Sequence, residues 1–255
     1  MALHSQFKLK IVTWNVNSVK ARLNNILNYI KDTHPDIILL QETKTEDKSF
    51  PIQEFKNAGY YVEIFGQKSY NGVAIISKFK PELVIRGLPN FKDDTQARYI
   101  QCEIKNFVLS SIYIPNGNPL DTEKFIYKIT WLKKFKEHIK TLISSNKHLI
   151  LGGDWNIAPR NEDVYDPNSF KNDAIFHDDS KKLFREIENL GLIDTFRIFN
   201  TSKGLYTYFD YQRNSWLHKL GVRIDHFLVS PYIADKLLSS GIDEEERGKD
   251  KPSDH

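Results

Sequence analysis

The sequence predicts a layered α/β sandwich, and two observations carry that expectation. Short runs rich in β-branched and aromatic residues recur along the chain, bounded by Gly, Pro, Asn or Lys, as strands are. Between them lie longer stretches whose apolar residues return with the period of an amphipathic helix. Helices alternating with many short strands, several of them joined by tight turns, bury their apolar faces best as sheets covered by helices. No Pro/Gly/Ser-rich linker and no internal repeat interrupts the 255 residues, so residues 1–255 are read as one domain.

In chain order, the strand candidates are residues 8–14, 36–41, 60–65, 72–77, 99–104, 108–114, 148–152 and 223–229. The first helix is marked by Leu23, Ile26, Leu27 and Ile30 at i, i+3, i+4 and i+7, with Asn17 or Ser18 as its N-cap. Phe125, Ile129, Leu132, Phe135, Ile139 and Leu142 form a longer stripe. Leu183, Ile187 and Leu190 form a third, ended by Gly191. Lys133, Lys134, Lys136 and Lys140 occupy the outer face of the middle helix. A solvated face is the favoured reading there, ahead of a DNA-facing patch.

Composition sets outer bounds. Apolar residues at 40% and charged residues at 27% are ordinary for a soluble globular protein, while aromatics at 13% are rich. A net charge of +3 permits nucleic-acid binding without requiring it. Cys102 is the only cysteine, which excludes an intrachain disulfide and a cysteine-based zinc site and fits a reducing cytoplasm. The first ten residues contain no apolar run of signal-peptide length, and no segment approaches the roughly 20 apolar residues of a membrane span.

Function is written at the strand ends. The first strand runs into Asn15 and Asn17, and the second into Gln41-Glu42-Thr43-Lys44. Tyr113 precedes Pro115-Asn116-Gly117, and the run Gly153-Asp154-Trp155-Asn156 closes another strand. Arg223-Ile224-Asp225-His226 opens the late strand, and Pro252-Ser253-Asp254-His255 ends the sequence. If these ends share one rim, Glu42, Asp154, Asp225 and Asp254 converge with Asn15, Asn17 and Asn156. Carboxylates and amides without cysteine suit Mg²⁺ or Mn²⁺ better than zinc. Hydrolysis of a phosphodiester also needs a base or orienter for water and positive charge at phosphorus, and Asp225 with His255 is the natural pair. Taken singly, Glu42 also reads as a turn residue, Gly-Asp-x-Asn as an Asx-turn, Tyr113 as a core tyrosine and the last residues as a tail; in this order, each at a strand end, they read as a site.

These runs, together with Trp14-Asn15-Val16-Asn17, Tyr113-Ile114-Pro115-Asn116-Gly117 and Gly153-Asp154-Trp155-Asn156-Ile157-Ala158-Pro159, resemble the successive motifs of the exonuclease III-type AP endonucleases, a branch of the endonuclease/exonuclease/phosphatase superfamily. The resemblance spans about residues 8–255. It implies a four-layered α/β sandwich, two mixed β-sheets face to face with helices outside, and Mg²⁺ or Mn²⁺ as cofactor. It implies Glu42 as principal metal ligand, with Asn15, Asn17 and Asp254 beside it. It further implies that Asp154 activates water, Asn156 holds the scissile phosphate, Tyr113 contacts phosphate or leaving group, and His255, oriented by Asp225, stabilises developing charge. The implied activity is incision 5′ to abasic sites in double-stranded DNA, with removal of 3′ blocking groups and 3′ nucleotides, by a monomer. Asn17 stands where some members carry an acid, and members continue past the last histidine into a further apolar strand.

The segment 206–219 interleaves aromatic and basic residues, and Tyr208, Arg213 and Trp216 are its DNA-binding candidates; a hairpin with ordinary packing aromatics is the other reading. Arg98, Asn116 and Arg223 complete the DNA-binding set. Two rival readings stand beside this one: a phosphatase or less specific nuclease of the same superfamily, and a non-catalytic nucleic-acid-binding relative.

Overall fold

The computed structural model describes residues 8–255, with the sequence-predicted signal-free N-terminus falling partly outside them. Two mixed sheets form the centre. One orders its strands β1 (Ile11–Asn15), β2 (Ile37–Gln41), β4 (Val73–Ser77) and β3 (Tyr61–Phe65). The other runs β5 (Glu82–Arg86), β6 (Tyr99–Ile104), β7 (Phe107–Tyr113), β8 (His148–Asp154), β10 (Asp225–Val229) and β9 (Ile193–Asp194). Helices α1 (Leu23–Thr33) and α2 (Ile52–Asn57) cover the first sheet. Helices α3 (Glu123–Ser144) and α4 (Asp178–Glu188) cover the second, and two short helices, α5 (Thr195–Phe199) and α6 (Pro231–Ala234), flank its edge.

Strand periodicity produces this layering. Successive side chains on a strand point to opposite faces. On β2, Ile37 and Leu39 join Ile75, Cys102, Leu109 and Ile150 in the core between the sheets. Ile38 and Leu40 turn the other way, onto Ile26 and Ile30 of α1 and Phe55 of α2. On β8, Ile150 faces the other sheet while Leu149 and Leu151 meet Leu132 and Phe135 of α3 and Phe184 of α4. Apolar residues at both parities explain why these central strands read as nearly continuous apolar runs. Gly153 has a separate reason to be glycine: a Cβ there would lie 2.0 Å from the Ile112 carbonyl oxygen, so only glycine lets β8 approach β7 this closely.

The structure corrects the sequence reading at several points. The first helix begins at Leu23 after Arg22, and neither Asn17 nor Ser18 caps it. Both take positive φ, 43° and 95°, in a turn that ends in a hydrogen bond from Arg22 N to Ser18 O of 3.1 Å. Strands β5 and β9 were not anticipated: β5 is an edge strand with largely exposed side chains, and β9 has two residues. The Lys-rich face of α3 is a solvated, ion-paired surface, with Lys136 on Glu186 at 2.6 Å and Lys140 on Glu137 at 2.9 Å. No helix among the described residues is long and apolar enough to cross a membrane.

Candidate active site

Strand direction collects the polar residues at one rim. β1 and β2 run parallel with Asn15 opposite Gln41, and β7 and β8 run parallel with Tyr113 opposite Asp154. β10 is antiparallel to β8, so its first residue, Asp225, also pairs with Asp154. The two sheets are joined there by Asn15, whose Nδ2 donates to Glu42 Oε1 at 2.9 Å and to Asp154 Oδ2 at 3.0 Å. Residues 253–255 return to the same place: Ser253 Oγ donates to Asn15 O at 2.7 Å, and Trp14 Nε1 donates to His255 O at 3.2 Å. The backbone is unusual at this rim. Asn17, Glu42, Lys44 and Asn156 all adopt left-handed φ, between 43° and 52°. Asparagine takes this conformation readily, while Glu42 and Lys44 are held in it at a cost of roughly 1–3 kcal/mol each.

The charges are arranged unequally. His255 Nδ1 donates to Asp225 Oδ2 at 2.7 Å, and its Nε2 lies 3.7 Å from Asp154 Oδ2. Burial works against charge on this imidazole, but Asp225 and Asp154 outweigh it and push its pKa up to about 10. Asp154, only 1% exposed, is driven the other way from an ordinary carboxyl: burial raises its pKa to about 7, against the lowering by His255 and with further raising by Asp225. Burial also opposes ionisation of Glu42, yet the Asn15 amide and the Lys44 ammonium, at 2.8 Å, hold that carboxyl below its ordinary value. Tyr113 is kept a neutral phenol by burial and by the neighbouring Glu42 and Asp154.

A divalent cation fits this donor set. Among the described residues, the carboxylates of Glu42, Asp154, Asp225 and Asp254 are in direct contact with no cations but Lys44 and His255, so the ionised set is left with net negative charge. Lys44 Nζ sits between Glu42 Oε2 and Asn17 Oδ1, the position of a cation drawn by hard oxygen donors. Asn17 Nδ2 donates to Asp254 Oδ1 at 3.1 Å, bringing that carboxylate alongside. Asn15 differs from the sequence expectation: its amide oxygen accepts from Asn17 N at 3.1 Å, so its nitrogen faces the carboxylates and it bridges them as a donor.

A cleft of about 500 Å³ opens over these residues. Asn116, Asn156, Tyr208 and Arg213 line it, and the Tyr208 ring lies edge-on to His255 at 5.0 Å. Asn156 is anchored by its N–H to Asp154 Oδ1 at 2.9 Å, and Asn116 Nδ2 donates to Asn156 Oδ1 at 3.1 Å. Three DNA-binding candidates fall elsewhere. Arg223 is 1% exposed and spends its guanidinium on Asp163 at 2.6 Å and Asp194 at 2.8 Å, leaving nothing for a phosphate. The Trp216 ring packs over Gly248, outside the cleft lining. Arg98 lies behind Tyr113, its guanidinium 4.8 Å from the ring centroid, where it supports the tyrosine. Sequence reasoning gave no role to Lys44 or to Arg22, which donates to Asn17 O, Pro252 O and Tyr211 OH and so ties the rim together. It also passed over Lys128, whose signal was a charged residue inside the apolar stripe of α3, three after Phe125 and four before Leu132.

Comparison with known proteins agrees with this architecture. The model of the endonuclease/exonuclease/phosphatase family matches residues 12–255. Exodeoxyribonuclease III of Haemophilus influenzae is 31% identical over 259 residues, covering 97% of each chain. A 3′ phosphatase from Neisseria, solved bound to a product DNA hairpin, superposes with a TM-score of 0.95 at 38% identity, covering 97% of this chain and 96% of that one. An AP endonuclease from Archaeoglobus fulgidus gives a TM-score of 0.94 at 35% identity with the same coverage. With a family match over nearly the whole sequence and relatives aligned end to end, the chain belongs to the endonuclease/exonuclease/phosphatase family, in its branch of hydrolytic exodeoxyribonuclease III and AP endonuclease enzymes.

Proposed function

We propose that this chain is a Mg²⁺-dependent DNA-repair nuclease that hydrolyses the phosphodiester 5′ to abasic sites in duplex DNA, with 3′–5′ exonuclease and 3′-phosphatase activity at duplex ends. Mn²⁺ is the alternative ion. The observation that carries the reading is geometric: the buried Asp154 carboxylate lies between the Asp225–His255 pair and the Asn15 bridge to Glu42, at the rim of the cleft. Burial raises this carboxyl above its ordinary range, the direction a base that takes a proton from water requires.

Glu42, Asn17 and Asp254 would hold the ion, which when bound supplies Lewis-acid neutralisation of the phosphate. The residues of the chain account for the rest. Asp154 orients the attacking water and accepts its proton. His255, charged through its contact with Asp225, offers Nε2–H to a phosphate oxygen as negative charge develops. Asn156 and Asn116 fix the phosphate in line, and the neutral Tyr113 hydroxyl donates to the phosphate or the leaving 3′ oxygen. One wall of the cleft is apolar, formed by Phe170, Ile175, Leu220 and Val222. Such a wall suits a sugar that has lost its base, while Arg213 at the mouth suits a flanking phosphate. The names of the relatives, a 3′ phosphatase and an AP endonuclease among them, favour DNA repair over a phosphatase acting on small molecules. All these groups come from one chain, which supports a working monomer, and the cytoplasm remains the compartment that the single cysteine favours.

The test is a panel of labelled duplexes carrying an abasic analogue, a 3′ phosphate, or neither, incubated with Mg²⁺ or with EDTA. Metal-dependent incision 5′ to the lesion and release of phosphate from the blocked end are expected. Cleavage of intact duplex alone, or equal cleavage in EDTA, would overturn the reading.

A further inference from the structure

Beneath the floor of the cleft lies a lysine that the chemistry above does not use. Lys128 projects from α3 and is 0% exposed. Its ammonium donates to three main-chain carbonyls: Asn116 O at 3.0 Å, Asn156 O at 2.6 Å and Ala174 O at 3.1 Å. An ammonium has three N–H donors, and here each has an acceptor. The first two acceptors belong to the asparagines whose side chains line the cleft and meet each other at 3.1 Å. The third belongs to the segment before α4, where Ser180 Oγ also donates to Ala174 O at 2.8 Å and Asn118 Oδ1 accepts from Ala174 N at 2.9 Å. Three loops from three parts of the chain are thus pinned to one atom.

The neighbourhood is shaped around this side chain. At Gly117, with φ of 88°, an added Cβ would lie 2.6 Å from Lys128 Cδ and 3.2 Å from the Ala174 Cβ. The lysine stem fills the space that only glycine leaves, so the Asn116-Gly117 turn is built against it. Burial pulls the pKa of Lys128 down to about 7, with Asp173 and Asp154 opposing it. The three carbonyl acceptors favour the protonated form, because a buried cation is costly unless its donors are satisfied. Here satisfaction comes from carbonyls of the very loops that carry Asn116 and Asn156, so Lys128 holds the main chain from which the two side chains leave. The Asn156 amide is itself anchored by donating to Ile114 O at 2.8 Å and Asp154 Oδ2 at 3.3 Å.

We infer that Lys128 is a positioning residue of the reaction: by holding the Asn116 and Asn156 main chains on one buried ammonium, it sets the hydrogen-bonded pair of asparagine amides at the floor of the cleft, on which the placement of the scissile phosphate depends. The inference rests on the phosphodiester-cleaving role proposed for the cleft. Lys128 touches no substrate and acts through Asn156 and Asn116. Because an ångström of misplacement costs an enzyme on the order of 10²-fold in rate, the effect belongs in kcat.

The decisive experiment compares wild type, Lys128→Met, Asn156→Ala and the double variant on the abasic duplex, with the side-chain amide NMR signals of Asn116 and Asn156 recorded for wild type and Lys128→Met. Lys128→Met keeps the stem and removes the donors. Its kcat is expected to fall on the order of 10²-fold with KM within about threefold, and the double variant to lose far less than the product of the single losses. Both asparagine signals are expected to move in Lys128→Met while that of Asn90, hydrogen-bonded to Lys134 O on the outer side of α3, stays. Unchanged kcat in folded Lys128→Met, additive losses, or unmoved asparagine signals would overturn the inference. Should Lys128→Met not fold, Lys128→Gln, which retains a shorter pair of donors, is measured in its place under the same criteria. If wild type cleaves none of the panel, the proposed function fails, and the NMR comparison still decides the role of Lys128.

Discussion

Arg223 and Asp225 are close neighbours in sequence and belong to opposite kinds of polar cluster. Arg223 sits in a closed set: it pairs with Asp163 and Asp194, Arg197 adds a second cation on Asp163, and all of these side chains are buried. Opposite charges are matched there, and the carboxyls of Asp163 and Asp194 fall below their ordinary values because the Arg223 guanidinium outweighs the cost of burial. Asp225 opens onto an unbalanced set, where carboxylates crowd together and a cleft gives access. What separates a site from a structural ion cluster here is the balance of the charges and not their burial or number. A charged residue whose partners are complete inside the fold has nothing left to offer a substrate.

The largest effect that would sharpen this contrast is on stability. Arg223→Met leaves Asp163 and Asp194 buried without their main counter-charge and is expected to cost about 3–5 kcal/mol in urea denaturation. Activity per folded molecule should remain close to wild type. A loss of activity without loss of stability would return Arg223 to the DNA-binding set.

The next effect is on pH dependence. His226 Nε2 donates to Ile157 O at 2.7 Å, and burial, reinforced by Arg223, lowers its pKa to about 4. The unfolded chain takes up this proton below about pH 6.5 while the folded chain does not. Stability therefore declines between pH 6.5 and about 4, by about 2 kcal/mol at pH 5. His226→Gln should remove that share of the decline between denaturation curves at pH 7 and pH 5. Asp163 and Asp194 act in a lower window. Their stabilisation is present above the ordinary carboxyl range and is lost as pH falls through their depressed folded values, so acid unfolding continues below pH 4 even in the variant. Identical pH dependence in the two proteins would contradict a neutral buried His226.

The smallest effect is expected at the lysine face of α3. Lys140 pairs with Glu137 at the surface of α3, and Lys140→Ala is expected to change stability by less than about 0.5 kcal/mol and cleavage by less than about twofold. A marked rise in KM for DNA would make that face part of the interface.

Much of the site was legible because strands impose order. The sequence placed Asn15, Glu42, Tyr113, Asp154 and Asp225 at strand ends and grouped them on the condition of a shared rim; the parallel pairs β1–β2 and β7–β8, with β10 antiparallel to β8, meet that condition within each sheet. Pairing across the two sheets was not legible, because contacts such as that of Asn15 with Asp154 depend on how the sheets face each other. Arg223 misled because a basic residue beside a motif looks the same whether its partner is a phosphate or a buried aspartate distant in sequence. Asn17 and Ser18 misled as N-caps because the same residue types favour left-handed turns. In the segment 206–219, aromatic content could not say which rings pack and which face the cleft; Tyr206 and Phe209 are buried, and Tyr208 between them reaches His255. β5 escaped notice because an exposed edge strand lacks the apolar run that marked the others.

If the unbalanced rim cluster performs the hydrolysis, Asp154→Asn should all but abolish it. The substitution keeps the shape of a buried residue that meets Asn15, Asn156 and His255, and removes its ability to accept a proton. Measured against wild type on the abasic duplex with Mg²⁺, the variant is expected to fold, to bind the duplex, and to lose kcat by on the order of 10³-fold. A folded Asp154→Asn protein that incises at the wild-type rate would place the chemistry outside this cluster.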